Sequence, residues 1–330
     1  MKPHRLVPGW LAIVIVMSAA VLLFRSMPTS PTGIEVADLE KGGDTQDHGS
    51  WGEDDWSIFE AKVSWALGQG LDTLSVGAAM ADIGRSFVGT AYVPGTLEVE
   101  GFERLVINFR GLDCVTFVEN VFALSRFVRA AGAQSLLEDR KSAEDVYESI
   151  LSEHRYRDGQ IDGYASRLHY FSDWVGDNHR RGLVRNISAE LNGILDSEPV
   201  DFMSTHTDAY AQLVDTSNIS LIKETEERLS AAGRRYVPMD RIDEVAQQIH
   251  DGDIIAATST LAGLDVAHTG IALWIDDTLH LLHAPLVGEA VQISETSLAE
   301  RIEKIEGQDG IIIARPQDEP RREATSARER

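Results

Sequence analysis

The chain of 330 residues has a single cysteine, Cys114, so no intramolecular disulfide can form. Cations are scarce: 30 Lys and Arg stand against 53 Asp and Glu, a formal net charge of −23. Nucleic acids and anionic membrane surfaces are bound through clustered Lys and Arg, so this balance argues against both as partners of the folded part. There is no internal repeat, and no pair of His or Cys has zinc-ligand spacing together with a third ligand, so no metal or other cofactor is expected. What remains is an ordinary globular composition, 43% hydrophobic and 25% charged, with enough apolar side chains for a sizeable core.

Long apolar runs are also lacking, with one exception. From Trp10 to Phe24 only Ser18 interrupts an apolar stretch, and Lys2 and Arg5 precede it. A basic flank before an apolar run is the layout of an export signal. No small-x-small cleavage site follows Phe24, which favours an uncleaved anchor over a released signal peptide. Residues 1–27 are therefore expected to direct export, leaving the remainder in the periplasm or on the outer face of the cytoplasmic membrane, attached only through this segment.

Residues 28–55 are rich in Pro, Gly and acidic side chains and read as a flexible linker. Residues 316–330 are charged and read as a disordered tail. Between them, residues 56–315 form one expected catalytic domain. Apolar residues at three- and four-residue spacing predict helices over 56–67, 72–87 and 114–128, and a polar amphipathic helix over 142–153. The second half changes character: 253–258, 269–275, 279–283, 290–293 and 310–314 are short β-rich runs bounded by turn residues. Helices followed by a strand meander predict an α+β fold with N-terminal helices packed on an antiparallel β-sheet.

Cys114 sits in G-L-D-C-V-T-F-V-E-N, where Asp113 is a good N-cap and Cys114 opens the helix. A helix N-terminus places partial positive charge beside the sulfur and offers unpaired N–H groups to an oxyanion. The bland alternative is a small buried hydrophobe at a helix start. His268 opens a strand, H-T-G-I-A-L-W-I, and a helix-borne Cys with a distant strand His has the layout of a nucleophile–base pair, with a structural strand histidine as the alternative. Gly270, two residues on, is expected to leave room beside the imidazole for substrate. On the next strand His280 or His283 could orient His268. A two-residue turn at Asp276–Asp277 puts His283 opposite Gly270; a three-residue turn selects His280. Spacing leaves that choice open.

Five segments, G-L-D-C-V-T-F-V-E, Y-R-D-G-Q-I-D-G-Y-A-S-R-L-H-Y-F-S-D-W, G-D-I-I-A, G-L-D-V-A-H-T-G-I-A and L-H-L-L-H-A, follow one another over about residues 85–315. Together they resemble the N-acetylmuramoyl-L-alanine amidase-like family, within the NlpC-type superfamily of papain-like cell-wall hydrolases. The resemblance implies a papain-like core and a catalytic triad of Cys114, His268 and His283. It also implies a peptidoglycan or muropeptide substrate cut at the lactyl–L-Ala amide or at a γ-D-Glu linkage. A non-catalytic wall-binding module and an acyltransferase using the same triad are the rival readings.

Between Tyr156 and Trp174 the chain is unusually polar and aromatic. Arg167 could clamp a substrate carboxylate and Tyr164 or Tyr170 could line a binding wall, with a structural Arg–Asp pair as the alternative. Asp113, Tyr164, Ser166, Arg167, His169 and Tyr170 are the expected substrate-side residues. His154, His179, His206 and His250 fall in polar stretches and are assigned to the surface. Residues 200–235 match no recognisable pattern and read as an insertion beside the cleft.

Overall fold

The computed structural model describes residues 51–318, so the export segment, nearly all of the linker and the end of the tail lie outside the described residues. The first helix, α1 (Glu53–Gly68), buries Trp56, Phe59, Val63 and Ala66 along one stripe. It starts inside the stretch expected to be linker, because Asp55 is buried and accepts the Phe109 N–H at 2.9 Å. Ser75 caps α2 (Val76–Arg85) by accepting the Ala78 N–H. A short parallel pair, β1 (Ala91–Tyr92) and β2 (Gly111–Leu112), then delivers the chain to α3 (Cys114–Val128). Every residue of α3 except Val115 is buried, so this helix is the centre of the domain rather than its surface.

After the single turn α4 (Ala133–Leu136) comes α5 (Arg140–Arg155), which packs on α3 with Ala143, Tyr147, Leu151 and His154. His154 is thus a correction to its surface assignment. It continues the apolar stripe of an otherwise polar helix, is 0% exposed, hydrogen-bonds the Glu119 carbonyl and packs on Phe122 and Trp174. His179, His206 and His250 are exposed, as expected. Helix α6 (Phe171–Arg180) closes this layer.

The remaining strands are β3 (Val184–Asn186), β4 (Ile194–Asp196), β5 (Arg234–Pro238), β6 (Ile254–Ser259), β7 (Val266–Ile275), β8 (Thr278–His283), β9 (Gln292–Ile293) and β10 (Gln308–Pro316). They form an eight-stranded antiparallel sheet of order β4-β5-β10-β6-β7-β8-β9, with β3 also on β10. One face carries Ile254, Ala256, Ile271, Leu273 and Leu282 against the N-terminal helices. The other carries Ile255, Ala257, Ala272, Leu281, Ile311 and Ile313 against α9 (Ile242–Val245) and α10 (Leu298–Lys304). Strand β6 is buried throughout because both of its faces are covered.

The expected α+β order is present, but β3, β4 and β5 were not anticipated. They are short, lie toward one side of the sheet, and carry Arg, Asn and Asp in place of alternating apolar residues. Residues 200–235 contain α7 (Phe202–Thr205) and α8 (Thr216–Ala232). These bury Phe202, Met203, Tyr210, Leu213 and Ile222 with Tyr164, Tyr170 and Leu264 in a third apolar cluster. Among the described residues no helix is long and apolar enough to cross a membrane.

Candidate active site

Cys114 is the first residue of α3, and its position is fixed locally. The Asp113 carboxylate accepts the N–H groups of Val115 and Thr116, while the Thr116 hydroxyl accepts the Asp113 N–H at 2.9 Å. This reciprocal capping holds the sulfur at the helix N-terminus. A second tie comes from the sheet, where the Thr269 hydroxyl donates to the Cys114 carbonyl at 2.7 Å. The Cys114 thiol is 1% exposed and lies against Thr269 and its own backbone amide. Burial, reinforced by the Asp113 carboxylate, pushes it up to about 12, against the opposing pull of the Thr269 and Cys114 donors. Burial therefore favours the protonated thiol at rest.

His268 follows a bulge in β7: Ala257 pairs with His268 and Thr258 with Val266. The β7–β8 hairpin has a two-residue turn at Asp276–Asp277, with Asp276 at φ 51°, and pairs Ile275 with Thr278 down to Ile271 with Leu282. That register brings His268 Nε2 and His283 Nδ1 to 2.7 Å with their rings edge-on at 87°. His280 instead pairs with Leu273 and meets the Ser294 carbonyl at 2.8 Å. Both facing imidazoles are 2% exposed. Burial, with the Arg301 guanidinium adding to it, holds His268 well below the ordinary histidine range and His283 at about 3. The Arg301 Nη2 lies 3.5 Å from His283 Nδ1.

Gly270 does not open a substrate space as expected. A Cβ there would lie 2.8 Å from Leu281 Cδ1 and from the Leu282 carbonyl, so the residue is small to let β8 approach.

A narrow cavity of about 60 Å3 reaches Cys114. Asp113, Arg167, His169 and Tyr170 line it, joined by Tyr92, Glu98, Met203 and Tyr210. Tyr164 and Ser166 do not line it. Tyr164 is buried, with its hydroxyl on the Glu98 carboxylate, and the Ser166 hydroxyl donates to the Gly163 carbonyl. The Arg167 guanidinium is engaged by Glu98 at 2.7 Å and Glu103 at 3.1 Å. His169 packs tilted against the Tyr164 ring and bonds its carbonyl, and burial holds it well below the ordinary range. Tyr170 donates to Glu226 and accepts the Met203 N–H, tying the wall to α8 and α7. A wider cleft of about 580 Å3 behind α6 contains Arg157, Arg228 and Arg235 and none of the expected site residues.

The family profile described as N-acetylmuramoyl-L-alanine amidase-like matches residues 82–311, which include Cys114, His268 and His283. The chain belongs to the N-acetylmuramoyl-L-alanine amidase-like family. A crystal structure of an N-acetylmuramoyl-L-alanine amidase from Bacteroides uniformis is 33% identical, with a TM-score of 0.67, covering 74% of this chain and 99% of that one. A Bacteroides fragilis protein is 36% identical, with a TM-score of 0.63, covering 70% of this chain and 98% of that one. The Legionella pneumophila protein LPG0564, 21% identical with a TM-score of 0.57 over 81% of this chain and 95% of that one, shares the fold. No curated protein matches the chain.

Within this amidase-like chain, the sequence pattern passed over Tyr92, Glu98, Met203, Tyr210 and Arg301. Tyr92 ends the two-residue strand β1 and the next three lie on loops and short helical turns, none with a periodicity to read, and Arg301 looks like any charged residue of a surface helix. Among the described residues no group of His, Cys, Asp and Glu could hold a metal ion.

Proposed function

We propose that the protein is a cysteine amidase of the papain-like, NlpC-type kind, which cuts an amide of peptidoglycan stem peptide. Cys114 acts as nucleophile, His268 as base, and His283 as the group that orients His268. The observation that carries this reading is the 2.7 Å His268–His283 contact on the strand whose next residue, Thr269, touches Cys114. A nucleophile, a base on the strand tied to it and a third group bound to that base make the three-part arrangement of acyl-transfer enzymes.

His283 occupies Nε2 of His268, which leaves Nδ1 as the nitrogen open to the thiol. In the resting state the thiol contacts Thr269 rather than an imidazole, and catalytic hydrogen bonds commonly tighten only with substrate bound. His268 then takes the thiol proton as the sulfur attacks the amide carbonyl. The oxyanion meets the Cys114 N–H at the α3 N-terminus. The protonated His268 gives its proton to the departing amine, and water hydrolyses the thioester. Because the thiol is pushed up and both imidazoles are pushed down, the proton moves during attack rather than beforehand.

The scissile bond in this reading is the lactyl–L-Ala amide or a γ-D-Glu linkage, reached from the outer face of the cytoplasmic membrane. Incubating the exported domain with purified muropeptides and identifying the fragments by mass spectrometry tests it. Release of an intact stem peptide supports the first bond and cleavage after D-Glu the second. Absence of any fragment under conditions where the wild-type fold is intact rejects the proposal. Cell fractionation with N-terminal sequencing tests the placement, which recovery from the cytosol would reject.

A further inference from the structure

Arg301 is half-buried and desolvation lowers its guanidinium to about 10, yet among the described residues it forms no salt bridge. Its hydrogen-bond partners are Gln308 Oε1 at 3.4 Å and His283 Nδ1 at 3.5 Å. Leu298 and Ile302 anchor α10 in the second core, and the Ser297 side chain caps it by accepting the Glu300 N–H. The cation is thus held against the imidazole pair by a packed helix. Even partial desolvation of a charge without a counter-charge has a cost, so its position calls for a reason.

We infer that Arg301 is a positioning residue for the His268–His283 pair: its guanidinium, which can only donate, makes His283 Nδ1 an acceptor and so obliges His268 to carry its proton on Nε2 and to present a bare Nδ1. This inference rests on the amidase reading for its catalytic meaning but not for its chemistry. Guanidinium has five N–H donors and no lone pair to offer. A proton on His283 Nδ1 would face Arg301 donor to donor, and would also leave His268 Nε2 to accept in the 2.7 Å contact. With His283 Nδ1 bare, one lone pair receives both His268 Nε2–H and the longer approach of Arg301. The remaining His283 nitrogen, Nε2, then bears the proton; it is buried and without a partner. The same cation opposes an added proton on either ring. The charged groups that act on the pair are Arg301 from α10 and, on Arg301 in turn, Cys114 from α3. No carboxylate among the described residues forms an ion pair with either imidazole.

The test combines long-range 1H–15N correlation of 15N-histidine protein with pH–rate profiles on muropeptide for wild type, Arg301→Gln and Arg301→Lys. Assignment uses His268→Gln and His283→Gln. In wild type both rings should show bare Nδ1 and protonated Nε2 from pH 5 to 8. In Arg301→Gln, His283 should become a tautomer mixture, and the acid limb of kcat/KM should move upward by about one pH unit or more. Arg301→Lys, which keeps a cation that can only donate, should restore both. Identical tautomers and an identical acid limb in Arg301→Gln overturn the inference, as does lost activity with an unchanged 15N pattern. If wild type proves inactive on muropeptide, the amidase reading fails while the nitrogen shifts still decide the role of Arg301.

Discussion

Thr269 donates its hydroxyl to the Cys114 carbonyl at 2.7 Å, tying the first residue of α3 to the strand residue that follows His268. One hydrogen bond thus joins residues that are 155 positions apart in the chain. Thr269→Val keeps the shape and removes the donor. The Cys114 carbonyl loses a buried partner, which should cost ~1–2 kcal/mol of stability. Activity should fall further than a stability loss explains, because the thiol also rests on Thr269. Chemical denaturation and turnover of the same preparation separate the two effects.

Cys114→Ser is expected to lower turnover by ~10^3-fold or more while the protein still unfolds cooperatively, since a serine hydroxyl fits the same buried place. Fragment release and thermal melting, measured together, check this. Undiminished activity would remove the cysteine mechanism.

The two strand histidines should differ in a graded way. His268→Ala removes the base and should nearly abolish turnover, whereas His283→Ala, which removes only the orienting contact, should retain a measurable rate. His280→Ala loses a hydrogen bond to the Ser294 carbonyl and should cost ~1 kcal/mol of stability with little change in rate. Steady-state rates of the three variants on one substrate decide the order, and a crippled His280→Ala beside a normal His283→Ala would contradict it.

The pH dependence of alkylation distinguishes a resting thiol from a preformed thiolate–imidazolium pair. Thiolate is the reactive form, so with Cys114 pushed up to about 12 its population rises about tenfold per pH unit throughout the neutral range. Iodoacetamide inactivation should therefore accelerate by roughly 100-fold between pH 7 and 9. A preformed pair, with the thiol depressed and the imidazole raised, would give a nearly flat profile over the same interval.

The buried pair of Glu119 and Arg155, 2.7 Å apart with side chains 2% and 1% exposed, places Glu119 in the lining of the cavity. Glu119→Ala strands the guanidinium and should cost ~3–5 kcal/mol. Replacing both residues by apolar ones of similar volume should cost much less, and urea unfolding of the single and double variants measures the difference.

Much of the site was legible because it depends on chemistry between near neighbours. Asp113 caps at i to i+3, so the start of α3 at Cys114 follows from four consecutive residues. The apolar spacing of 114–128 marks that helix as core. The hairpin parity argument narrowed the partner of His268 to one of two histidines, and the two-residue turn at Asp276–Asp277 brings His283, not His280, against it. Other features arise between segments far apart in the chain and leave no periodic trace. His154 was misplaced because polar neighbours on α5 mask a single apolar stripe, and only packing on Phe122 and Trp174 identifies it. Most of residues 200–235 show no pattern because they fold onto Tyr164 and Tyr170, and the segment joins the sheet at Arg234 in β5. Arg167 could be read as open to a ligand until Glu98 and Glu103 are seen beside it. Arg301 reads as a solvated helix charge, yet sheet order places α10 over β8 and turns that charge toward His283. A local code can state which backbone a residue adopts and which face it shares; the electrostatic surroundings of a side chain depend on what the rest of the chain brings to it.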